Sequence, residues 1–226
     1  MRSLITGGAG FIGSHLVDHL LDAGDDVVVL DDLSTGALSN LDAVSSHPRL
    51  ELRVGSILDA ELVDELAGSA DRIFHLAAAV GVRLIVEQPL QSMRTNLHGT
   101  ESVLDAAVRR RVPLLLASTS EVYGKNAADK LSEDSDRVYG SPLLARWTYA
   151  AAKGLDEAMT YAHVQQSGLQ ARIVRLFNTV GPRQRGSYGM VLPNLVSQAL
   201  AGEPLRVFGD GEQTRCFSYV GDIVPA

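Results

Sequence analysis

The sequence predicts an α/β fold with a doubly wound parallel sheet, on three observations. Short apolar runs alternate with amphipathic helical patterns as far as Phe177, the mark of a parallel sheet covered on both faces. Three glycines, Gly7, Gly10 and Gly13, separate the first apolar run from the first helical pattern. Uncommitted polar residues (Asp31, Ser56, His75, Thr119 to Glu121 and Asn178) gather after the carboxyl ends of the runs, where open α/β sheets bind ligands.

The first strand, from Arg2, ends at Gly7, and a helix with Phe11, Ile12, Leu16, Val17, Leu20 and Leu21 on one face follows at once. A second strand, Asp26 to Leu30, closes a βαβ unit of about 30 residues. A pyrophosphate held at a helix start needs bare backbone, so Cβ atoms must be missing at Gly7, Gly10 and Gly13, with Phe11 and Ile12 supplying the first amides. Asp31 stands roughly 20 residues on, where a carboxylate accepts from a ribose diol. No arginine directly follows it to hold a 2′-phosphate, so the reading is a Rossmann-type domain binding NAD. Asp32, Ser34 and Gly36 form the next turn, before a short helix over Leu38–Val44. The third strand is Leu50–Val54, with Ser56 and Ile57 at its end; a helix over Glu61–Ala67 and a fourth strand, Arg72–Leu76, follow. Pro89 opens a long helix to Arg111, with Met93, Leu97, Thr100, Val103, Leu104, Ala107 and Val108 turned inward. Val112–Ala117 is apolar on both faces and therefore central. A polar loop leads to a helix over Arg146–Gln166, a sixth strand over Ala171–Phe177, and a loop from Asn178 to Arg183. Residues 1–177 are read as the NAD-binding domain and 178–226 as a partial substrate lobe.

Composition narrows the function. A net charge of −7 argues against a nucleic-acid binder, so a phosphate-bearing ligand must be held by local arginines and helix dipoles. The single cysteine, Cys216, excludes a disulfide framework and fits a reducing cytoplasm. No apolar run reaches the ~18 residues of a membrane span, and the first residues enter a strand directly, unlike a secretion signal. The expectation is a soluble cytoplasmic protein. No His, Cys or Asp grouping has metal-ligand spacing.

Chemistry centres on Tyr149 and Lys153, four apart on one helix and so on one face. A phenol with its ordinary pKa of about 10 is a poor base. A neighbouring ammonium and a positive nicotinamide ring favour the phenolate, which then takes a carbinol proton as hydride leaves.

With Gly7 to Gly13, His75-Leu76-Ala77-Ala78, Asn96 to Thr100, Tyr149 with Lys153, and Gln213-Thr214-Arg215 in view, the chain resembles an extended short-chain dehydrogenase/reductase of the nucleotide-sugar epimerase, dehydratase and decarboxylase group. The resemblance implies that Leu76, Ala77, Ala78 and Asn96 line the NAD site and that Thr119 helps Tyr149 polarise the sugar C4 oxygen. Dehydratases of the group resemble Thr-Asp-Glu here; this chain has Thr119-Ser120-Glu121, which looks like UDP-glucuronic acid decarboxylases. Ser120 cannot supply a carboxyl acid. Glu121 beside a substrate carboxylate would disfavour that charge more in the ground state than in the transition state; capping or pairing with an arginine is its alternative role. The implied substrate is a UDP-sugar, contacted by Asn178, Arg215 and Arg183, the last also readable as a surface ion pair. Phe208 stacks on uracil or is a core aromatic. His75 is a structural histidine.

Two departures stand out: Ser56 where the group places Asp toward the adenine, and an end before the substrate lobe is complete. A UDP-glucose or UDP-glucuronic acid 4-epimerase and a shortened non-catalytic NAD binder are the alternatives. The resemblance also implies a homodimer through a four-helix bundle of the helices from Pro89 and Arg146, presenting Ala106, Ala151 and Ala158.

Overall fold

The computed structural model describes residues 1–79, 87–186 and 190–226. Six parallel strands form one sheet: β1 Arg2–Thr6, β2 Asp26–Asp31, β3 Leu50–Val54, β4 Arg72–His75, β5 Leu114–Thr119 and β6 Ala171–Leu176, in the order β3-β2-β1-β4-β5-β6. The order reverses between β1 and β4, so the strand ends diverge there and open a crevice above the first glycine turn. The helices of this unit are α1 Phe11–Asp22, α2 Ala60–Ala67, α3 Pro89–Arg110 and α4 Thr148–Ser167. Leu4, Ile5 and Val27 to Leu30 are no more than 1% exposed, which is why these strands read as unbroken apolar runs. Burial of each such side chain contributes roughly 1.5–3 kcal/mol. One core layer packs α2 and α3, through Val63 and Leu104, against sheet residues such as Leu116 of β5; the other packs α1 through Val17, Leu20 and Leu21.

Three expectations need correction. β5 starts at Leu114, two residues later than read, because Arg111 caps α3 in the left-handed region (φ 55°) and the Val112 amide still donates to Ala107. The buried side of α3 is polar and small in its first half, where Ser92, Asn96 and Gly99 are buried and Met93 and Leu97 are only half-buried. Ala106, expected on an exposed dimer face, is 1% exposed and part of the core, because α3 turns that side toward the sheet. Ala151 and Ala158 are exposed as read.

The sequence reads Asn178 to Arg183 as a loop. Instead Asn178–Val180 (β7) pairs in parallel with Phe217–Tyr219 (β8), and the Asn178 side-chain Nδ2 donates to the Cys216 carbonyl at 2.9 Å. A helix, α5 Val191–Leu200, and a short helix, α6 Val220–Ile223, complete the described chain. This part sits on α1: Val220 is fully buried, Val224 packs on the α1 core, His15 meets the Pro182 carbonyl at 3.1 Å, and Arg183 pairs with Asp18 at 2.7 Å.

Candidate functional site

The crevice over the carboxyl ends of the strands has a volume of about 710 Å³. One wall is the glycine turn. Gly7 has φ +77°, and a Cβ on it would lie 2.7 Å from the Ala77 nitrogen; one on Gly13 would lie 2.1 Å from the Gly7 carbonyl. The turn therefore folds as it does only without side chains. Gly10 caps α1 with no side-chain hydrogen bond, leaving the first-turn amides of Phe11, Ile12 and Gly13 at the cleft.

Asp31 lines the cleft too, but its carboxylate is already engaged: one oxygen accepts from the Ala9 amide at 2.9 Å, the other from the Leu33 amide at 2.8 Å. It braces the glycine turn from within the lining, and burial raises its pKa. Asp32 and Ser34 line the same end, with Asp32 accepting from the Ser34 amide. Ile57, Leu76, Ala77 and Ala78 line the adjoining wall. Ser56, Gly36 and Asn96 do not. The Ser56 hydroxyl accepts from the Leu58 amide, and Gly36 packs where a Cβ would meet the Asp31 carboxylate at 2.9 Å. Asn96, 1% exposed, accepts from the Ala79 amide at 2.7 Å and donates to its carbonyl at 3.2 Å. It shapes the cleft by holding the segment after β4.

Thr119, Ser120, Glu121 and Tyr149 converge on the opposite wall. Thr119 ends β5 and caps the following 3₁₀ turn, Ser120–Tyr123, accepting from the Glu121 amide at 3.2 Å. That turn aims the Glu121 carboxyl into the cleft, where surrounding protein pushes its pKa up and nearby Arg146 opposes the rise. Tyr149 is 9% exposed. Its pKa is raised, first by burial, then by Glu121 and Asp156. Lys153 is 2% exposed, lies behind the lining, and donates to Asp156 at 3.1 Å. Burial, Glu121 and Asp156 all act to raise the phenol, against the lowering expected from the lysine. Sequence reasoning missed Asp156; the signal was a carboxylate three residues from the lysine on the same helix face.

Behind this wall lies a buried polar chain. The Thr6 hydroxyl meets His75 Nδ1 at 2.7 Å, and His75 Nε2 meets the Thr100 hydroxyl at 3.0 Å. Burial, reinforced by Lys153, pushes His75 down to about 3, so it is neutral and structural as read. Ser118 donates to Glu157 at 2.6 Å, and Arg175 of β6 pairs with the same carboxylate at 2.8 Å.

From the part of the chain after β6, Asn178, Arg183 and Arg215 line the cleft. Arg183 is tied to Asp18, and one Arg215 amino group donates to the Thr214 carbonyl at 2.7 Å. Phe208 is 74% exposed and outside the lining, so it is neither a core aromatic nor part of this cleft wall. Among the described residues there is no His, Cys, Asp and Glu group suited to a metal ion.

A bare glycine turn at the start of α1, with a strand-end hydroxyl and Tyr149 in the same cleft, is the layout of an extended short-chain dehydrogenase/reductase. The chain matches the NAD dependent epimerase/dehydratase family over residues 3–226 and belongs to it. It is 43% identical to the UDP-N-acetyl-alpha-D-glucosaminuronate decarboxylase of Bacillus cytotoxicus, across 100% of this chain and 69% of that one. With the UDP-glucuronic acid decarboxylase 1 of Xenopus tropicalis it shares 41% identity across 99% of this chain, and it spans about half (52%) of that relative's length. The solved UDP-glucuronic acid 4-epimerase of Bacillus cereus, in complex with UDP-glucuronic acid and NAD, superposes with a TM-score of 0.88 at 32% identity, covering 99% of this chain and 71% of that one. The bare cradle and uncapped α1 fit NAD, the family's cofactor. Among the described residues no helix is long and apolar enough to cross a membrane.

Proposed function

We propose that this protein decarboxylates UDP-glucuronic acid through a 4-keto intermediate, giving UDP-xylose or the UDP-4-keto-pentose. The convergence of Thr119, Ser120, Glu121 and Tyr149 on one cleft wall carries the reading. The names of both decarboxylase relatives support the reaction, and that of the Xenopus relative supports the sugar.

When bound, NAD accepts a hydride from sugar C4 and can return it. The residues proposed to hold it are Gly7, Gly10, Phe11, Ile12, Gly13, Asp31, Asp32, Ser34, Ile57 and Leu76 to Ala78 along the lining, with Asn96 shaping that wall from behind. Tyr149 takes the C4 hydroxyl proton as C4 is oxidised, and Thr119 and Ser120 hydrogen-bond the same oxygen. The product is a β-keto acid: its C5–carboxylate bond breaks, CO₂ leaves, and the electron pair passes into the C4–C5 enolate. Glu121 near the carboxylate makes that charge costly in the ground state and less so as it disperses. Protonation at C5 then gives the 4-keto pentose. Asn178 and Arg215 are the proposed sugar and diphosphate contacts, the arginine through its planar fork. Arg183, tied to Asp18 through one amino group, is the weaker proposed contact.

Incubation with UDP-glucuronic acid decides the reaction. CO₂ release with loss of that mass from the nucleotide sugar is expected; product of unchanged mass indicates the 4-epimerase, and no NADH at single turnover with any UDP-sugar indicates a non-catalytic relative. Glu121→Gln should slow CO₂ release while leaving NADH formation intact, and full CO₂ release from that variant overturns the role given to Glu121. We further propose a cytoplasmic homodimer joined through α3 and α4, with Ala151 and Ala158 on the shared face; a monomer by light scattering removes it.

A further inference from the structure

We propose that Asp156 is a positioning residue that fixes the Lys153 ammonium and so sets how much of the lysine's charge reaches the Tyr149 phenol. The inference rests on the reading of Tyr149 and Lys153 as the dehydrogenase pair. Lys153 and Asp156 are 2% and 0% exposed and 3.1 Å apart, so their charges largely cancel in surroundings that water does not screen. Lys153 reaches back from the cleft toward this carboxylate, although Tyr149, four residues earlier on α4, faces the cleft.

The carboxylate is itself held from other elements. The Thr100 hydroxyl of α3 lies beside it and favours its charged form, and Thr100 in turn meets His75 of β4. The Lys153 ammonium donates to Asp156 Oδ2. Every charged group around the phenol fits the assignment. Glu121, from the turn after β5, and Asp156 both oppose phenolate. Glu157 is neutralised by Arg175 of β6, and His75 is uncharged. Two cations stand against these carboxylates: Lys153 beside Asp156, and Arg146 acting on Glu121.

The test follows each tyrosine by NMR of ring-labelled protein without cofactor, and single-turnover NADH formation against pH with UDP-glucuronic acid. In the wild type, the Tyr149 phenol, assigned by its loss in Tyr149→Phe, should titrate above the ordinary tyrosine range. Titration below that range overturns the proposal without any variant of Asp156. In Asp156→Asn the phenol and the acid limb of the NADH profile should both move about one unit to lower pH, roughly tenfold more rate below the limb. A folded Asp156→Asn protein with both unmoved makes Asp156 merely structural. If no UDP-sugar yields NADH, the dehydrogenase reading fails, and the NMR titration still decides what Asp156 does to the phenol.

Discussion

The two sides of the cleft are built differently. The glycine-turn side rests on β1 and β2, whose side chains are almost wholly buried, and its backbone is so tightly folded that single Cβ atoms cannot be added. The side after β6 rests on a two-stranded ribbon, one buried valine and a few polar ties to α1, and α5 buries no residue. A cofactor common to a whole family is gripped by backbone geometry. The proposed sugar contacts, Asn178 and Arg215, lie on a lightly supported segment, where substitutions leave the core untouched.

The contrast can be broken from either side. Tyr149→Phe should show the largest effect, lowering single-turnover NADH formation by about 10²–10⁴-fold while calorimetric NAD binding stays unchanged. Full activity in that variant would end the enzymatic account. Gly13→Ala should destabilise the protein by about 3 kcal/mol in urea melts and abolish NAD binding, since the new methyl meets backbone on the opposite strand of the turn. On the lightly packed side, Gly202→Ala (φ +68°, nothing within 4 Å) should cost only the left-handed strain of about 1 kcal/mol. Equal losses at the two glycines would show that packing does not separate the regions.

His75 gives a pH test of the rigid side. Its folded pKa is depressed from 6.5 to about 3, so the unfolded chain takes up the proton first. The stability it confers is complete above pH 6.5 and is lost as pH falls toward 3, by about 1.4 kcal/mol per unit. Urea melts of wild type and His75→Gln between these limits should differ by that slope; parallel curves would mean the imidazole is already charged in the fold. The smallest effect belongs to Leu200→Ser on α5, where Leu200 is 86% exposed: a change within about 0.5 kcal/mol by thermal melting. A larger loss would reveal that α5 is packed after all.

What the sequence determined by itself is whatever depends on neighbours along the chain. Gly7 to Gly13 announced their turn because no residue with a Cβ folds there, the apolar runs announced strands buried on both faces, and Tyr149 with Lys153 announced one helix face by their spacing. β7 was missed because three residues, Asn178 to Val180, carry no periodicity, and only Phe217 to Tyr219, far along the chain, makes them a strand. The tertiary structure alone decided the rest. It engaged both oxygens of Asp31 with backbone amides, turned Ala106 into the core, left Phe208 in solvent, and joined Lys153 to Asp156 with Thr100 and His75 behind them. Those outcomes depend on which groups meet across space once water is excluded, and that is a property of packed elements, not of residue order.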